Sequence, residues 1–282
     1  MLAGALVFAV MSTSAGAAYQ RDPALSAWMV TFMRSAVSLL ALIGIAAARG
    51  LPLWGDRRPA LWGRGVAGAI ALITYFVSML HLSVGEAAFL NQTSAVWVAI
   101  FAPLVLGERT GKLVWIAVLG SLVGIALLAA PRGTEADLMG RLIGLFSGIV
   151  AAVAYLCIRR ASATNGPVAI VFYFSLMATV ISAAGALLTH QPLPRDPAVL
   201  ALLTLTGLSA TGAQLLMNMA YARAPASAVA AAGATSPLFN TVLGALFLAQ
   251  IPDPLAAWGM AILLVTGVLL PSLATRGAPA RA

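Results

Sequence analysis

Charge is what this sequence lacks. Only 9% of its 282 residues are Asp, Glu, Lys or Arg, against roughly a quarter in an ordinary soluble domain. Acids are scarcest, eight in all, and most fall between the apolar runs. The single cysteine, Cys157, excludes a disulfide framework. Two histidines and the dispersed acids supply no metal set, no nucleophile–His–acid triad and no paired carboxylates, so neither an enzyme nor a cofactor is implied. The net charge of +8 would suggest nucleic acid in a soluble chain. Here nearly all the cations lie between apolar runs, where they read as membrane topology, and no nucleic-acid partner is expected.

What the sequence has instead is hydrocarbon. Hydrophobic residues make up 61% of it, in ten runs near 2–20, 25–48, 61–83, 86–106, 113–130, 139–158, 166–189, 197–221, 226–248 and 254–273. About twenty residues of helix cross some 30 Å of lipid. Lipid offers the backbone no hydrogen bonds, which restricts such runs to helices or a closed barrel, and their Ala/Leu/Gly content selects helices. The expected class is an all-α membrane protein with ten transmembrane helices. The first run has small residues resembling a cleavage site but no positive segment before it, so it reads as a mature helix rather than a signal peptide.

Ten spans put both termini on one side. Arg49, Arg57, Arg58, Arg64, Arg109, Lys112, Arg159, Arg160, Arg223, Arg276 and Arg281 fall on that side; Arg21, Arg132, Arg141 and Arg195 fall on the other. Eleven against four predicts cytoplasmic N- and C-termini in a cell inner membrane. Arg34 belongs to neither side.

The chain also repeats. "TSA" at residues 93–95 and "TSP" at 235–237 lie in comparable runs, and at that spacing Glu108 matches Gln250. "GALVFAVMSTSAGAAY" from Gly4 resembles "GLFSGIVAAVAYLCIR" from Gly144. Five spans per copy is odd, so the second copy enters the membrane in the opposite sense. Two inverted five-helix repeats follow, 1–132 and 139–273, with a tail at 274–282. This is a recurring architecture of secondary transporters whose site lies between the halves.

On these residues, and on "GEAAFLNQTSAVWVAIFAPLVLGERTG" and "APASAVAAAGATSPLFNTVLGALFLAQIP", the chain resembles the drug/metabolite transporter superfamily, specifically its EamA-type ten-helix members. The second copy keeps the mid-helix Pro237 but has Gln250; the first keeps Glu108 but has Ala95 where proline is usual. The resemblance implies export of small metabolites by alternating access, and brings amino-acid exporters to mind, aromatic ones in particular. Arg34 in the second helix is typical of such proteins.

Polar residues inside spans need a reason, because burying them in lipid is costly. Arg34 lies about eight residues, roughly 12 Å, from the outer end of its span. Two roles are open to it: holding a substrate carboxylate, for which its planar fork is suited, or locking helix-end carbonyls. Tyr75, Ser78 and His81 share a helical face, as do Thr211, Gln214 and Asn218. Asn91 and Thr93 stand in the "NQTS" cluster, followed by Trp97. Together these form the expected wall of an uncharged, hydrogen-bonding cavity; for each alone, interhelical bonding is the other reading.

Coupling is less defined. Span one has no carboxylate of the kind small multidrug exporters use, which counts against their scheme. A proton-coupled exporter of cationic compounds is the alternative, with His81 and Glu86 as gate or relay. A facilitator driven by its substrate gradient also fits. Pro237 is expected to bend span nine and serve as a moving part. Glycines one turn apart at 120/124 and 140/144/148 allow helices to approach closely, either within one chain or at a dimer face. The expected partners are a small-molecule substrate and the bilayer.

Overall fold

A computed structural model describes residues 1–107, 135–224, 226–233, 235–252 and 254–266, with isolated positions between 116 and 127. The expected fifth span at 113–130, the cations 109, 112 and 132, and the tail at 274–282 lie mostly or wholly outside the described residues. The described chain contains helices and no strands: α1 (Leu2–Arg21), α2 (Ala27–Arg49), α3 (Pro59–Ser78), α4 (Val84–Gln92), α5 (Ser94–Leu106), α6 (Glu135–Ala161), α7 (Pro167–Leu188), α8 (Pro197–Arg223), α9 (Ala226–Gly233), α10 (Ser236–Leu248) and α11 (Pro254–Leu264).

Local chemistry sets these ends. Ser26 caps α2 by accepting from Met29 N at 3.2 Å, and Gly50 closes that helix in the left-handed region at φ 62°. Prolines open α3, α7 and α8 at the first turn, where their missing N–H costs nothing. Ser83 and Glu86 form a capping box on α4.

Among the described residues, seven segments are long and apolar enough to cross a membrane: α1, α2, α3, α4 with α5, Asp137–Ala161, α7 and α8. Ser236–Leu248 is a shorter apolar helix. Large side chains such as Leu40, Leu104, Leu188, Phe247 and Trp258 are exposed around the outside. Such an apolar exterior suits a hydrocarbon solvent, and the chain is a multi-pass integral membrane protein.

The expected fourth and ninth spans are each two helices. The first breaks at Thr93 between α4 and α5, the second at Thr235 between α9 and α10. Both threonines have right-handed helical backbone angles and turn their hydroxyls back on the preceding turn: Thr93 Oγ1 to Leu90 O at 2.7 Å, and Thr235 Oγ1 to Ala232 O at 2.8 Å. Pro237 therefore opens α10 rather than bending the middle of a continuous helix.

The packing is reciprocal. The α1–α8 contact is mirrored by α3–α6, α2–α8 by α3–α7, and α1–α10 by α5–α6, while α2 packs on α7 and α4 on α10. The glycines of α6 make the α3/α4 contacts possible. A Cβ at Gly144 would lie 2.8 Å from Ser78 Oγ, and one at Gly148 would lie 2.4 Å from Thr93 Oγ1. This glycine stripe is used inside the chain.

Polar ties close each end of the bundle. At one end Arg21 pairs with Asp196 at 2.6 Å, Gln20 donates to Leu248 O at 3.1 Å, and Gln250 Oε1 accepts from Val84 N at 2.9 Å. At the other, Asn165 Oδ1 accepts from Asp56 N at 2.9 Å and Tyr173 OH donates to Trp54 O at 3.0 Å. Gly55 adopts φ 52° there, and a Cβ on it would run into Asn165.

Candidate functional site

A cavity of about 840 Å³, counting its mouth, opens between the helices and is lined from α1, α2, α3, α4 and α6 to α10. Two arginines dominate it. Arg34, from α2, is 1% exposed; Arg64, from α3, is 2% exposed. Both guanidinium carbons point at one ring on α7, at 5.0 Å and 4.0 Å from the centre of Phe174. Such cation–π contacts stabilise a desolvated cation in part.

Hydrogen bonds account for only part of their donor capacity. Arg64 Nη2 donates to Gln214 Oε1 at 2.9 Å, while its Nε has no partner. Arg34 Nη2 reaches the sulfur of Met11 at 4.0 Å, while Nε and Nη1 have no partner. No acidic side chain lines the cavity among the described residues. Two buried cations with unpaired donors and no acidic side chain among the described lining residues leave positive charge uncompensated at the cavity, a charge that a carboxylate neutralises through two parallel hydrogen bonds to a guanidinium.

Arg64 corrects the sequence reading, which counted it among the loop cations. Proline at the start of α3 places the helix boundary before it, at Pro59, and Arg64 then falls on the inner face one turn before Gly68. A Cβ at position 68 would lie 1.8 Å from Arg64 Nη1, so the glycine supplies the groove in which the guanidinium lies.

The rest of the wall is aromatic and polar. Tyr155 and Tyr221 stack with ring centres 5.6 Å apart. Tyr75 donates to Ser12 Oγ at 2.8 Å, which donates to Phe8 O at 3.1 Å. Asn91 Nδ2 donates to Ser147 Oγ at 3.0 Å. Ser236 and Asn240, beside the second helix break, complete this side.

Of the residues expected to form the wall, Arg34, Tyr75, Asn91 and Gln214 come together in the cavity. The others are placed differently. Ser78 donates to Gly140 O at 2.9 Å and ties α3 to α6. His81 is exposed in the turn after α3, because that helix ends at Ser78 and the shared face ends with it. Thr93 occupies the first break. Trp97 stacks on Phe101 at 6.2 Å outside the cavity lining. Thr211 donates to Gly207 O at 2.8 Å, and Asn218 to Gln214 O at 2.7 Å, both on their own helix. Glu86 Oε2 accepts from Ser83 Oγ at 2.9 Å in the α4 capping box.

A membrane bundle with two interrupted helices beside a cationic cavity has a counterpart among known proteins. The EamA-like transporter family matches residues 1–130 and again residues 138–273. The chain belongs to the EamA-like transporter family. Among the relatives of this EamA-like protein, the pseudopaline exporter of Pseudomonas aeruginosa is 29% identical over 86% of this chain and 84% of its own. An uncharacterized transporter of Helicobacter pylori is 28% identical over 73% of this chain and 71% of its own. A riboflavin transporter of Rhizobium johnstonii is 25% identical over 73% of this chain and 68% of its own. A protein of known crystal structure, 17% identical, has the same fold with a TM-score of 0.73 over 97% of this chain and 96% of that one.

Proposed function

We propose that this EamA-like chain exports small carboxylate-bearing metabolites across the inner membrane by alternating access between two inverted five-helix halves. Amino acids are the substrates proposed, aromatic ones in particular. The observation that carries the reading is the pair of buried guanidiniums, Arg34 and Arg64, facing a cavity that no acidic side chain lines among the described residues.

Three further features support it. The reciprocal helix packing and the two matches to one family agree with an inverted repeat. Breaks at equivalent places in the two halves, at Thr93 and Thr235, are where such transporters build their sites. The aromatic lining suits an apolar side chain. A relative named as an exporter supports the direction, and the cation distribution supports cytoplasmic termini. Two cations in the cavity count against a cationic cargo.

In this reading Arg34, Arg64, Tyr75 and Asn91 contact substrate and Gln214 holds Arg64 in place, while Ser78, Thr93, Trp97, Thr211 and Asn218 support the wall and His81 lies outside it. Glu86 and Pro237, at the starts of α4 and α10, belong to the elements that move. Counterflow in proteoliposomes with labelled phenylalanine, threonine, lysine and a cationic dye, with and without a pH gradient, tests it. Amino-acid counterflow is the expected result; transport of the dye alone contradicts it.

A further inference from the structure

Export of a carboxylate needs one cationic contact, and this cavity has two. Arg34 and Arg64 come from different helices and spend their bonded donors on different walls, Met11 on α1 and Gln214 on α8. A guanidinium presents five N–H groups in a fixed fork, and one fork takes both oxygens of one carboxylate. Two forks therefore carry donors enough for two carboxylates. The charge balance points the same way. Both cations stand within 5.0 Å of the Phe174 ring centre with no acidic side chain among the described lining residues, and like charges so placed repel. A single carboxylate leaves the cavity with a net positive charge in surroundings that solvate it poorly.

Resting on the transport reading above, but putting acidic ligands in place of aromatic amino acids as the preferred ones, we propose that the ligand of this site carries two separate carboxylates, one held by Arg34 and one by Arg64, with the hydrocarbon between them lying against Phe174. Gln214 is a positioning residue in this arrangement. Its Oε1 fixes the Arg64 fork through Nη2, while Nε lies buried with no hydrogen-bond partner of its own. Gly68 does the same from the other side by leaving room for Nη1.

The test is binding of four probes to the purified full chain in detergent at fixed ionic strength: succinate, glutarate, butyrate and inorganic phosphate. We expect succinate or glutarate to bind at least about tenfold tighter than butyrate and tighter than phosphate, because the second carboxylate gains its own charge-assisted pair. Arg34→Gln and Arg64→Gln should each bring the dicarboxylate down to the butyrate level while changing butyrate affinity much less. Gln214→Leu should weaken dicarboxylate binding with the same selectivity, a signature that a merely loosened bundle would not give. Butyrate binding as tightly as glutarate overturns the proposal, as does phosphate binding more tightly than either dicarboxylate. If the arginine variants do not fold, the four-probe comparison on the unaltered chain decides alone.

Counterflow in vesicles of the same preparation separates this proposal from the reading beneath it. Phenylalanine transport with no preference for dicarboxylates removes only the second carboxylate. Absence of counterflow for every carboxylate tested removes the transport reading itself.

Discussion

Arg34 and Phe174 meet across the two halves of the chain, the guanidinium carbon 5.0 Å from the ring centre. One lies in α2, the second helix of the first half; the other lies in α7, the second helix of the latter half, and these two helices pack on each other. The contact sets a cation against an aromatic face at the seam, and Arg64 joins it from α3 at 4.0 Å. Substrate binding at this seam would touch both halves at once, as the proposed alternating access requires.

The two arginines should be separable from general stability by chemistry. Arg64→Gln removes a buried cation whose charge-assisted hydrogen bonds to a ligand are worth about 1.5–3 kcal/mol, or roughly tenfold to a hundredfold in affinity. Arg64→Lys restores charge but loses the fork that holds both Gln214 and ligand. We expect the Lys variant to recover less than half of the lost transport, measured as initial efflux rate in proteoliposomes.

The α6 glycines are packing residues, not spacers. A Cβ at Gly148 would lie 2.7 Å from Leu90 O, a backbone atom that cannot swing aside. Gly148→Ala should destabilise the chain by about 1–3 kcal/mol through overpacking. Thermal unfolding in detergent should show a lower midpoint, with a smaller effect for Gly166→Ala, where a Cβ would meet nothing within 4 Å.

The helix breaks give a kinetic prediction. Pro237 stands in the first turn of α10, just after the break at Thr235. Replacing it with alanine restores an N–H and lets α9 and α10 approach one continuous helix. We expect Pro237→Ala to slow transport several-fold while leaving ligand affinity close to unchanged. An unaltered transport rate would remove the hinge role.

Acid should loosen the loop ties in a defined window. Hydrogen bonding from Thr164, together with Asn165, holds the Asp56 carboxyl below its ordinary value of 3.8, and Arg21 does the same for Asp196. A carboxyl whose folded pKa is lowered contributes stability above its unfolded pKa and loses it as pH falls through the folded one. The stabilising effect of Asp56 should therefore be constant from neutral pH down to about 5 and fade below about 4. Comparing thermal midpoints of the unaltered chain and Asp56→Asn between pH 7 and pH 3 checks this, with the two curves converging at the acid end.

What could be read from the sequence was what depends on neighbours along the chain. Hydrophobic run length marks α1, α2, α7 and α8, because a helix in lipid must satisfy its backbone within itself. The paired "TSA" and "TSP" words mark equivalent places in two runs that look continuous, and the break at each depends on a threonine bonding its own preceding turn, which the pattern does not show. Arg64 was hidden because its burial comes from Phe174 and Gln214, far along the chain. The available signal was Pro59 as a helix start followed by Arg64 and Gly68 one turn apart on one face. Tyr155 escaped notice for a similar reason, since it lies near the end of its run and gains its place by stacking on Tyr221. Ser78 and Thr211 lie on polar stripes as expected, yet their hydroxyls are consumed by backbone carbonyls, a competition the stripe pattern does not reveal.

The most direct test compares efflux of labelled glutamate and of a cationic dye from proteoliposomes carrying the unaltered chain or the Arg34→Gln/Arg64→Gln double variant. Glutamate efflux by the unaltered chain, its loss in the double variant, and no dye efflux that depends on these arginines are the expected results. Glutamate efflux that is absent from the unaltered chain, or that persists undiminished in the double variant, would contradict a carboxylate site at this seam.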